Sequence, residues 1–158
     1  MDCKLEAFFL NHRAAEMLPN NLRHLHRCRL NDQITLVPVT RQLCKEVMAT
    51  FGEDWDDPYE DSLFIRLLPA LSQMAIKISS VAPVLYFEVD EASGIGDRSA
   101  IVWHKGEAVF GPEWGGSFTA EAFKLFKQLE GSSWDQGLDI YRHRFTEDWV
   151  RDIESESD

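Results

Sequence analysis

A single-domain α+β fold is what this sequence predicts: an antiparallel β-meander at about residues 83–113 packed against several helices, plus one further strand near 33–39. Residues 83–110 alternate apolar and polar side chains around two turn sequences. Other segments repeat apolar residues at helical spacing. No internal repeat and no long Gly/Ser/Pro-rich linker divides the 158 residues, so residues 1–158 read as one globular unit with a frayed acidic tail at 154–158.

Residues 2–18 are expected to be helical, with Leu5, Phe8, Phe9 and Leu18 near one face and Pro19 as the stop. A second short helix is expected at Leu22–Cys28. Gln33–Val39 is rich in β-branched residues and follows Asn31-Asp32, which marks a strand, and Pro38 favours an edge position. Thr40 is placed to cap a helix running to Phe51, with Gly52 ending it. Glu53–Asp61 holds six carboxylates, two aromatic rings and a proline, a loop composition.

The longest amphipathic pattern begins near Ser62, with Phe64, Leu67, Leu68, Leu71, Met74, Ala75 and Ile78 at core spacing, and Pro69 inside it predicts a bend near Ile65 or a break into two helices there. In the meander, Pro83–Glu91 places Leu85, Phe87 and Val89 on a buried face and Tyr86, Glu88 and Asp90 on the other, with Glu88 and Asp90 towards solvent or a partner. Ser93–Asp97 is the first turn, Arg98–His104 returns, and Lys105-Gly106 turns the chain into Glu107–Phe110. Thr119–Glu130 is a helix with Phe118 as a staple, Phe123, Phe126 and Leu129 inward, and Gly131 as its stop. A short helix from Thr146 precedes the acidic end.

Sixteen Lys and Arg against 27 Asp and Glu give a net charge of −11, which opposes direct binding to nucleic acid or to an anionic membrane. The imbalance is regional. Residues 1–52 carry seven basic and five acidic side chains, residues 53–158 nine and 22. Cys3, Cys28 and Cys44 match neither a zinc framework nor an even disulfide set, and the start Met1-Asp2-Cys3-Lys4 lacks the basic n-region of a signal peptide. No run approaches the ~20 apolar residues of a membrane span. A cytoplasmic location is expected.

Few constellations carry chemistry. His24-x-His26-x-Cys28, with Cys44, could ligate zinc only if extended, and Arg23, Arg27 and Arg29 would repel the cation. The same arginines with Arg13 could touch phosphates, but without interleaved aromatic rings. Gly94-Ile95-Gly96 joins two strands and does not open a helix, so it is a hairpin turn and not a phosphate loop. Cys44 with His104 or His143 is a conceivable nucleophile and base, without a local signature. Carboxylate pairs such as Glu88 with Glu113 are too easily drawn in so acidic a chain to indicate glycoside hydrolysis. Asp54, Asp56 and Glu60 are calcium-type donors, but the spacing lacks the central glycine of an EF-hand. No cofactor, metal or catalytic set is expected.

The acidic aromatic loop remains: Asp54, Trp55, Asp56, Asp57, Tyr59 and Glu60 join dense charge to amphipathic rings, the combination that steers and anchors a basic protein. Glu113 and Trp114, before Gly115-Gly116, offer a second such position, whereas Trp103 is expected in the core. Small, acidic and α+β, the chain shares the physical character of bacterial immunity proteins, antitoxins and other stoichiometric inhibitors. The expectation is a non-enzymatic binder of a basic toxin or nucleic-acid-processing protein, in an oligomeric state the sequence does not set. A small hydrolase or transferase using a Cys/His or Glu/His site, or a non-inhibitory regulatory subunit, are the alternatives.

Overall fold

The N-terminal segment is a strand and not the expected helix: β1 spans Lys4–Asn11 and lies inside the sheet. Ala7, Phe8, Phe9 and Leu10 are all buried, successive residues facing opposite sides. A strand covered on both faces is apolar without alternation, which is why its pattern mimics a helical one. The computed structural model describes residues 4–29, 32–52, 69–90, 97–114 and 118–131, with the backbone alone for 4–5, 89–90, 97–98, 112–114 and 118–120.

After β1 comes α1 (His12–Ala15), capped by the Asn11 side chain, which accepts from the Ala14 N–H at 2.7 Å. The helix expected at Leu22–Cys28 is absent. In its place an irregular loop is held by side chains: the Arg27 guanidinium donates to the carbonyls of Ala15 and Leu18, each at 2.8 Å. The chain then forms the two-residue β2 (Cys28–Arg29).

β3 (Ile34–Pro38) sits between β2 and β1, which corrects the edge position inferred from Pro38. The proline is still accommodated by edge logic. Val39 donates its N–H to Glu6 on β1 at 2.8 Å, so by alternation Pro38 turns its nitrogen the other way, beyond the end of β2, which pairs only with Thr35 and Leu36. No ladder bond is lost.

α2 (Arg41–Phe51) forms as its signals predict. Thr40 accepts from the Leu43 N–H at 3.1 Å and Gly52 closes the helix at φ 68°. α3 is described over Pro69–Ile78, so residues 62–68 and the expected bend or break near Ile65 lie outside the described residues, as do the loop 53–61 and the helix from Thr146.

The meander is present as β4 (Val84–Asp90), β5 (Asp97–His104) and β6 (Glu107–Trp114). The last strand outruns its expected end at Phe110, because its pairing with β5 shifts register twice, with Gly111 at φ 74° in the shifted stretch. α4 (Phe118–Glu130) ends at Gly131 as expected. Together the strands make one antiparallel sheet in the order β2-β3-β1-β4-β5-β6.

Helices cover both faces of this sheet, and the picture of a one-sided meander is therefore corrected. On one face Phe8, Leu10, Val37, Val84, Tyr86, Ile101 and Trp103 pack under α1, α2 and α3. On the other, Phe9, Ile34, Leu36, Leu85, Phe87 and Val102 meet Ala122, Phe123 and Phe126 of α4. Phe9, Phe87 and Phe123 form a triad with ring centroids 4.9–5.3 Å apart. Leu85 and Phe87 are buried together as expected. Glu88, expected to face solvent or a partner, is 7% exposed within the chain itself, because α2 and α3 lie over its face of the sheet.

Candidate functional site

The face beneath α2 and α3 changes character along the strands. Register across β1, β4 and β5 defines three successive rows: Leu10–Val84–Trp103, Phe8–Tyr86–Ile101, and Glu6–Glu88–Ser99. The first two fill the core; the third is polar and still buried, with Glu6 6% and Ser99 4% exposed. Directly opposed residues on antiparallel strands have Cβ atoms about 5 Å apart, so Glu6 and Glu88 leave the sheet from neighbouring positions on the same face.

Three further groups converge on this row. The Tyr86 hydroxyl donates to Glu88 Oε2 at 2.6 Å. The bond from Val39 to Glu6 brings the chain into Thr40 and hence sets the N-terminus of α2 beside β1, where the helix dipole favours negative charge. Cys44, one turn into α2, is fully buried and close enough to act electrostatically on Tyr86. Burial raises the tyrosine pKa well above its ordinary 10, reinforced by the charge and hydrogen bond of Glu88 and then by Glu6 and Cys44. Tyr86 is therefore a neutral hydrogen-bond donor at any physiological pH.

This row was missed from sequence. Alternation placed Tyr86 and Glu88 on one face, but that they are covered follows only from the sheet pairing, and Glu6 lay in a segment read as helix. Of the residues proposed for partner binding, Asp54, Trp55, Asp56, Asp57, Tyr59 and Glu60 lie outside the described residues. Glu113 and Trp114 belong to β6, opposite Ala100 and Ser99. That pairing carries the end of β6 to the same end of the sheet as Glu6 and Glu88.

The suggested pair of Cys44 with His104 does not form. Tyr86 lies opposite Ile101, and His104 is three residues further along β5, about 10 Å, where alternation turns it to the α4 side. His143 lies outside the described residues. Among those described, no three His, Cys, Asp or Glu side chains converge on a metal position. Burial pushes the Cys28 thiol up to about 11, so it is protonated at neutral pH. The surrounding polar groups have structural partners: Arg27 binds carbonyls, and the Glu46 carboxylate accepts from the N–H groups of Arg23 and His24 at 2.7 and 2.8 Å.

No family model, curated protein or solved structure matches the chain. No helix among the described residues is long and apolar enough to cross a membrane.

Proposed function

We propose that the chain is a binding protein of immunity or inhibitor type, which neutralises a basic toxin or nucleic-acid-processing partner by covering its active site in the bacterial cytoplasm. The location of the charge carries this reading. The described residues hold eleven acidic and twelve basic side chains, a nearly balanced set. The surplus lies in two segments: residues 53–68 have six acidic side chains against one basic, and residues 132–158 have eight against three. Acid concentrated in two segments of the chain raises the association rate with a basic protein. Trp55 and Tyr59 stand within the first segment as anchors.

The test is capture from the organism of origin on immobilised full chain, with Asp54→Lys/Asp56→Lys/Asp57→Lys in parallel. A basic protein held by the natural chain, lost by the variant, and inhibited at one-to-one stoichiometry is expected. Retention without inhibition, or equal retention by both chains, overturns the reading.

The alternative of a small hydrolase or transferase draws its support from the Glu6–Glu88–Tyr86 row, not from a cysteine and histidine. Turnover of ester or phosphoester substrates that disappears in a folded Glu88→Gln variant would favour it.

A further inference from the structure

Around the β2 edge of the sheet the described residues carry five exposed basic side chains. β2 is the outermost strand of the sheet and carries Arg29, while α1, just after β1, carries Arg13. The loop preceding β2 is fastened to α2 through Glu46, which sets Arg23 beside that helix, and Arg41 and Lys45 are one turn apart on the exposed stripe of α2. All five cations are exposed. Among the described residues the nearby acids do not balance them: Glu6 is buried, Glu46 is engaged by two backbone N–H groups, and Glu16 and Asp32 are exposed. None of the five pairs with a described carboxylate. In a chain with 27 acidic residues, five exposed cations paired with no described carboxylate make this the place where an acidic segment can dock.

We propose that this basic edge docks the acidic segment 53–61 of a second copy of the chain. Six carboxylates within nine residues supply the complementary charge. A net charge of −11 disfavours the rival polyanion, a nucleic acid, whereas two copies meeting through opposite local charges keep their like-charged parts apart. The two halves of the contact are different surfaces, so association is head to tail. Exposed ion pairs are individually weak and screened by salt, which makes the assembly reversible. This inference uses the same segment as the proposed inhibitory contact but does not require it, and self-association would occupy that segment until a more basic partner displaces it.

Sedimentation velocity on the full chain at about 0.02 M and about 0.5 M NaCl is the test, because the screening length shortens severalfold between them. Concentration-dependent association at low salt is expected, with the apparent dissociation constant rising at least about tenfold at high salt. Arg23→Glu/Arg41→Glu/Lys45→Glu and Asp54→Lys/Asp56→Lys/Asp57→Lys should each be monomeric alone, with melting temperatures near the natural one. Mixed in equal amounts they should associate, since a carboxylate again faces a cation at each contact. A natural chain that stays monomeric at low salt, or a mixture that fails to associate, overturns the proposal. So does a short DNA duplex that binds the natural chain, not the glutamate variant, without any self-association.

Discussion

Tyr86 shows how one buried polar group can be costly or useful depending on its partner. Fully buried, its hydroxyl is satisfied by Glu88 at 2.6 Å, and removing it leaves a carboxylate oxygen without that donor. Tyr86→Phe should lower stability at pH 7 by about 1.5–3 kcal/mol, measured by urea unfolding. The pH dependence has a definite sign. The folded pKa of Tyr86 is raised, so above about pH 10 the unfolded chain loses this proton while the folded chain keeps it, and stability falls as pH rises. Below pH 10 the contribution is fully present. The phenylalanine variant should therefore lose less stability than the natural chain between pH 9 and 11; an identical slope would show that Tyr86 ionises as freely folded as unfolded.

Elements followed from sequence where the signal was local. Thr40 and Gly52 bounded α2, and Gly131 stopped α4, because caps are chemistry between near neighbours. The turn between β5 and β6 was equally legible, yet it contains a compromise. Lys105 and Gly106 have φ of 55° and 80°, the two positive values of a type I′ turn, and lysine adopts the first at a steric cost. The turn is also pinned to the end of α3: the Lys105 N–H donates to the Ser79 carbonyl at 2.8 Å and the Gly106 N–H to Ser79 Oγ at 2.9 Å. Asparagine keeps both backbone bonds and tolerates the left-handed region. Lys105→Asn should therefore raise stability by about 0.5–1 kcal/mol, a shift readable by calorimetry. Elements failed where burial was two-sided, as in β1, since an apolar run between two layers has no period to read.

At the scale of the molecule, a six-stranded antiparallel sheet is held between α1, α2 and α3 on one face and α4 on the other. The α4 layer hangs on few side chains, with Phe123 1% exposed and its ring against Phe9 and Phe87. Phe123→Ala should cost about 3–5 kcal/mol, a large part of the roughly 5–15 kcal/mol that stabilises a domain, and thermal melts should show a much lower or less cooperative transition. A drop of under 1 kcal/mol would mean that α4 is not a structural layer. The sequence by itself determined the α+β class, the meander, the caps of α2 and the regional acidity, all of which depend on neighbours in the chain or on composition alone. Only the tertiary structure decided that residues 4–11 form a central strand, that Glu88 is covered, and that Glu6, Tyr86, Glu88 and Cys44 meet under the N-terminus of α2. Glu6 and Glu88 are 82 residues apart in the chain and adjacent only through strand pairing, whose register is set by the burial of both faces at once.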